Sequence, residues 1–172
     1  KELETTRELI ASFPASQVPR WHEAGALVGL GRVPEAIESV RSVVPAATSP
    51  LLAATAYYYG ASELAAHGRR TEAAALAAEG ADWIASHVPE KDRKARDSAV
   101  VLPDLLCLAG RFAEARPLLD AAVDDARKVD AAGGTWDHAT FLARRGLVAI
   151  RLGDEATARQ DAAELHGIDR PF

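Results

Sequence analysis

One short phrase occurs four times along the chain: Gly31-Arg32-Val33-Pro34-Glu35-Ala36, Gly68-Arg69-Arg70-Thr71-Glu72-Ala73, Gly110-Arg111-Phe112-Ala113-Glu114-Ala115 and Gly153-Asp154-Glu155-Ala156-Thr157-Ala158. Each reads glycine, a polar residue, two variable residues, Glu or Thr, then alanine. The glycines Gly31, Gly68, Gly110 and Gly153 stand 37, 42 and 43 residues apart. A period of that size marks one supersecondary unit used repeatedly, too small to bury a core alone and stable only when stacked on its neighbours.

The residues around each glycine define the unit. Seven positions before it stand Ala24, Ala61, Pro103 and Gly146, and four before it Leu27, Leu64, Leu106 and Ala149. Five after it alanine recurs as Ala36, Ala73, Ala115 and Ala158, followed four later by Val40, Ala77, Leu119 and Ala162. Spacings of three and four are helical on both sides of the glycine. The unit therefore reads as a helix ended by a left-handed glycine, a tight turn, and a second helix packed antiparallel on the first. Composition agrees, because 37 of the 172 residues are alanine and only 6% are aromatic, which favours close-packed helices over sheet or disorder.

The expected fold class is all-α, in a single domain over residues 1–172. Its repeats span approximately 17–48, 50–87, 95–131 and 135–167, and an additional helix over Lys1 to Phe13 packs on the first of them. Ser49-Pro50 reads as an N-cap followed by the first helical position, Thr71 as the cap of its helix, and Thr135 after Gly133-Gly134 as the start of the last pair. Glu35, Glu72 and Glu114 fall in first turns, where a carboxylate meets the positive end of the helix dipole. His87 to Arg96, charged and carrying Pro89, reads as a connection. Pro103 and Pro117 lie inside helical patterns and should kink a helix or mark a late start.

Over about Gln17 to Gly167 these features resemble the tetratricopeptide repeat family, with its small residue in the first helix, glycine at the turn and alanine early in the second helix. The chain departs from the family where Arg20, Tyr57, Ala99 and Leu142 replace the early tryptophan, and its period exceeds the usual 34 or so, as expected of a degenerate variant with longer helices. The resemblance implies a right-handed superhelical α-solenoid of about four repeats plus the N-terminal helix. Its concave groove would be lined by the first helix of each pair. Inward positions are then Trp21, Tyr58, Val100 and Ala143, with Gly25, Ser62, Asp104 and Leu147, and Val28, Ala65, Cys107 and Ile150. Family members that clasp a C-terminal carboxylate place lysine and asparagine at inward positions, and this chain has neither there, so no such clamp is expected. The candidate partner-binding residues are Trp21, Tyr58, Ser62, Val100, Asp104 and Leu147. Trp21 and Tyr58 are either exposed anchors or packed between helices.

Reactive chemistry is thin. A net charge of −5 argues against nucleic acid, whose phosphates need a basic surface. Cys107 is the only cysteine, so no internal disulfide is available, and a reducing cytoplasm is expected. The uncharged run Ser42 to Ser62 contains prolines and three tyrosines and reads as a loop plus a buried helix, not a membrane span. No secretory leader pattern opens the chain. Start at Lys1 and lack of methionine suggest a piece of a longer protein. His22, His67, His87, His138 and His166 are scattered, with no metal-ligand spacing, and no nucleotide-loop or nucleophile-elbow motif occurs. Asp120, Asp124 and Asp125 read as a solvated face, and Cys107 as a small buried residue.

The expectation is a non-catalytic interaction or regulatory scaffold, without cofactor or metal, that binds a peptide or protein segment as part of a larger bacterial signalling or transcription-regulatory protein. Alternatives are a small-molecule-sensing superhelical domain and a scaffold that self-associates as a homo-oligomer through an uncapped repeat end.

Overall fold

The computed structural model describes residues 2–13, 18–47, 49–89, 98–130 and 137–168. Among these residues the regular structure is helical throughout: α1 (Glu2–Ser12), α2 (Val18–Gly29), α3 (Val33–Val43), a short 3-10 turn (Val44–Ala46), α4 (Pro50–Ala66), α5 (Arg70–His87), α6 (Ser98–Leu108), α7 (Phe112–Asp130), α8 (Asp137–Leu152) and α9 (Glu155–His166). The expected all-α class holds. No helix of the described residues is long and apolar enough to cross a membrane.

All four repeat glycines have positive φ, between 74° and 77°. At the turns of Gly31, Gly68 and Gly153 the backbone closes as a Schellman motif, which satisfies the last helical carbonyls. Gly31 N–H donates to Val28 C=O and Arg32 N–H to Leu27 C=O, and the same pair of bonds recurs from Gly68 and Arg69, and from Gly153 and Asp154. The next carbonyl opens the following helix: Ala36, Ala73, Ala115 and Ala158 donate to Arg32, Arg69, Arg111 and Asp154. The polar residue of the phrase has a further use. Arg32, Arg69 and Arg111 fold back onto Glu35, Glu72 and Glu114, three residues on. In the fourth copy Asp154 accepts from Thr157 N–H as a side-chain N-cap (3.1 Å).

Helix ends elsewhere follow local chemistry. Ser49 accepts from Leu52 N–H ahead of Pro50, as its sequence suggests. Thr71 is not the cap of α5. The helix begins at Arg70, and Arg69, placed next to the left-handed Gly68, is the N-cap residue with no side-chain cap bond. α6 and α7 run on through Pro103 and Pro117. Thr135, Gly133 and Gly134, and residues 90–96 of the charged connection, lie outside the described residues.

The chain divides into two compact units, Lys1–Gly110 and Arg111–Phe172. In the first, α2 pairs with α3 and α4 with α5. α1 packs on α2, α2 and α3 pack on α4, and α6 packs on both α4 and α5. Leu27, Val40, Val43, Leu64 and Leu105 are fully buried there, each contributing roughly 1.5–3 kcal/mol of transfer free energy. Two glycines set the helix separations. A Cβ on Gly60 would stand 2.4 Å from Val40 Cγ2, and one on Gly80 2.6 Å from Tyr57 Cβ.

In the second unit α7 and α9 each pack on α8, around Leu119, Val123, Leu142 and Val148. Ala36, Ala73 and Ala115 are buried as their offset suggests. Ala158 is only half-buried.

Candidate functional site

In the first unit α1, α2 and α4 line a partly open cavity of about 680 Å³. α2 contributes Trp21 and, one turn on, Gly25 and Gly29, whose missing side chains leave room for those of α4. A Cβ on Gly25 would lie 3.5 Å from Glu63, and one on Gly29 3.7 Å from His67. α4 contributes Tyr59, Glu63 and His67, successive residues at i, i+4 and i+8 on one helical stripe. Leu3 of α1 and Ala26 and Leu30 of α2 supply apolar wall.

The aromatic part of the site is a stack. The Trp21 and Tyr59 ring centroids are 5.1 Å apart with planes 20° from parallel, and Tyr58 is tilted against Tyr59 at 5.7 Å. Trp21 Nε1 is buried with no hydrogen-bond acceptor, so stacking and packing, not a polar contact, hold the indole. The polar part is a carboxylate with little company. Glu63 Oε2 is 4.0 Å from His67 Nε2, beyond hydrogen-bond reach, and no lysine or arginine among the described residues lines the cavity.

Of the expected partner-binding residues the structure brings only Trp21 to this cavity. Tyr58 is half-buried beside it, and the residue that stacks on Trp21 is its neighbour Tyr59, 45% exposed. Ser62 and Asp104 are half-buried and outside the lining. Val100 lies in α6, with its side chain outside the described residues. Leu147 belongs to the second unit. With Ala143 and Ile150 it forms an exposed apolar stripe along α8, 65% exposed at Leu147 and 62% at Ile150. The inward position Val28 is in fact core, 4% exposed.

Three consecutive tyrosines on α4 meet three environments, because each step turns the side chain by about 100°. Tyr57, the buried member, donates its hydroxyl to Glu79 Oε1 of α5 (3.1 Å), and Arg41 of α3 forks onto the same carboxylate. Burial foremost, then the Glu79 charge, push the phenol up to about 12. The hydrogen bond from Arg41 holds Glu79 below the usual carboxylate range.

The second unit carries an ion network that the spacing of its residues did not announce. Arg145 and Asp161, both buried, pair through Nη2–Oδ1 (2.5 Å) and Nε–Oδ2 (3.0 Å). Gly146 leaves space beside Asp161, where a Cβ would meet Asp161 Cβ at 3.6 Å. Asp120 accepts from both Arg116 and Arg145, so it is part of this network and not merely a solvated carboxylate. Asp124 and Asp125 are exposed beside Arg127 and Lys128. His138 is buried against Glu164 at 2.9 Å. The hydroxyl and backbone N–H of Thr157, with Arg116, hold Asp154 at about 2. Cys107 is half-buried. No cluster of three or more histidine, cysteine or acidic side chains fit to hold a metal ion occurs among the described residues.

Comparison with family models, with curated proteins and with solved structures finds no match to this chain.

Proposed function

We propose that this chain is a non-catalytic recognition module of the tetratricopeptide-like kind, the class whose helical hairpins stack into a right-handed superhelix and hold a segment of another protein. Its role would be that of a docking or sensing part within a larger bacterial signalling or transcription-regulatory protein. Supporting this reading are the four turns of equal backbone geometry, with their φ of 74–77°, and the pairing of α2 with α3 and α4 with α5. The observation that carries the binding role is the cavity of about 680 Å³ beside the Trp21–Tyr59 stack, since solvent-accessible aromatic rings at a concave site commonly supply binding energy.

Selection of displayed peptides on the immobilised protein tests the reading. Wild type should enrich a sequence motif, and Trp21→Ala with Tyr59→Ala should lose it while keeping the wild-type helical signal. Failure to enrich any motif, or enrichment that survives the double substitution, would refute it. A second reading, small-molecule sensing, is favoured by the same cavity, whose volume falls within the roughly 300–1,000 Å³ of ligand pockets.

A further inference from the structure

We propose that the cavity of the first unit accepts the side chain of an arginine or lysine carried by a partner segment. This rests on the reading of the chain as a segment-binding module and names what the segment must contain. Four carboxylates of this unit are held by an arginine, while Glu63, like the surface residues Glu4, Glu8 and Glu38, is not; what sets Glu63 apart is its place in the cavity beside two aromatic rings. Glu23 accepts from Arg7, Glu35 from Arg32, Glu72 from Arg69 and Glu79 from Arg41. Glu63 has His67 at 4.0 Å, and among the described residues no lysine or arginine lines the cavity it faces. The wall thus presents one carboxylate beside two aromatic rings.

That combination fits a guanidinium or an ammonium group on an aliphatic stem. Such a head forms a charge-assisted bond to the carboxylate and is attracted to the ring faces of Trp and Tyr, with arginine the better match because its plane both stacks and forks. The stem's methylenes suit the apolar wall of Leu3, Ala26 and Leu30. A residue within a segment fits better than a free amine, because Leu30 at 62% and Tyr59 at 45% exposure leave apolar surface at the rim for the flanking residues of a segment to cover.

Titration of the whole chain with acetyl-Ala-Arg-Ala-amide and its lysine counterpart, followed by the Trp21 indole N–H resonance, tests the proposal. Each should move that resonance saturably. The analogue with neutral citrulline in place of arginine should bind at least about tenfold more weakly, and Glu63→Gln should reduce the arginine peptide to the citrulline level. Glu63 is half-exposed, so this substitution should leave the helical signal and melting unchanged. Equal binding of the citrulline and arginine peptides, or an unchanged affinity in Glu63→Gln, overturns the assignment of a cation. Ethylguanidinium binding as tightly as the arginine peptide overturns the segment as its source. Absence of saturation by any of these probes overturns the site. A motif from the displayed peptides that depends on Trp21 and Tyr59 but lacks a basic residue would sink this inference alone and leave the recognition module standing.

Discussion

Replacing Gly80 by alanine should destabilise the protein even though it improves the helix. Glycine inside a helix costs about 1 kcal/mol relative to alanine, so the bare propensity term favours the substitution. At Gly80, however, the added methyl would stand 2.6 Å from Tyr57 Cβ and 2.8 Å from Tyr57 Cγ. A Cβ cannot swing aside by changing rotamer, so α4 and α5 must separate. Leu105 Cδ1 of α6, 3.3 Å away, closes the other direction. Overpacking of this kind costs about 1–3 kcal/mol. The loss falls at the upper end here because the obstacle is attached to backbone and Tyr57 also carries the bond to Glu79. Subtracting the propensity gain leaves a net loss of about 1–2 kcal/mol.

Gly25 supplies the opposite sign. It also lies inside a helix, but its added methyl meets only the flexible Glu63 side chain at 3.5 Å, an ordinary contact, so Gly25→Ala should stabilise by about 0.5–1 kcal/mol. Gly68→Ala isolates backbone strain. Nothing lies within 4 Å of its Cβ position, yet φ is 76°, and the left-handed conformation should cost about 1–2 kcal/mol. Urea unfolding followed by far-ultraviolet circular dichroism, with slopes compared between variants, measures all three. If Gly80→Ala proves as stable as wild type or more so, the close approach of α4 and α5 is wrong. A cycle at the neighbouring seam gives an independent check. Gly60→Ala should be partly rescued by Val40→Ala, which removes the Cγ2 at 2.4 Å, with a favourable coupling of about 1 kcal/mol.

Two further outcomes follow from the polar contacts. Asp161→Asn keeps one acceptor for Arg145 but removes the buried countercharge and turns the second oxygen of the fork into an NH2, leaving the 3.4 Å contact to Asp120 as its carboxylate partner, and should cost about 3 kcal/mol; a loss under about 1 kcal/mol in urea unfolding would mean that the pair is solvated. Tyr57, raised to about 12 from an ordinary value near 10, holds its proton more tightly folded than unfolded, so its contribution to stability is fully present below about pH 10 and is lost as pH rises from 10 towards 12. One of the three tyrosines should therefore ionise last in a tyrosinate absorbance titration, and Tyr57→Phe should remove that late step. Simultaneous ionisation of all three near 10 would contradict the burial.

What the sequence disclosed and what it withheld divide along the range of the interaction. The turn at Gly31 is decided within ten residues, since a left-handed φ, the two Schellman bonds and the start of the next helix involve only Leu27 to Ala36. A repeated phrase therefore exposes it. Arg145–Asp161 and Arg127–Glu164 join residues 16 and 37 apart on different helices, and neither period nor motif marks them. Thr71 illustrates the intermediate case. It is a good capping residue, but the preceding turn fixes Arg69 as the N-cap and Arg70 as the first helical residue, which places Thr71 inside the first turn and past the capping position.

The shift from Tyr58 to Tyr59 has the same root and bears on the proposed site. Positions counted from the turn glycine place Trp21 and Tyr58 in equivalent register, which suits a surface equally lined by every first helix. A cavity between two neighbouring helices takes different flanks from each. α2 and α4 pack on one another, so the space between them receives Trp21 and Gly25 from one side and, rotated by one residue or about 100°, Tyr59 and Glu63 from the other. Equivalent offsets therefore identify the residues at the middle of each helix's exposed face, while a side chain that closes on a ligand comes from the edges. On this argument the next recognition residues to substitute are edge positions such as His67 and His22, which line the cavity, before Ser62 or Asp104, which keep the register of the repeat but stand apart from the site.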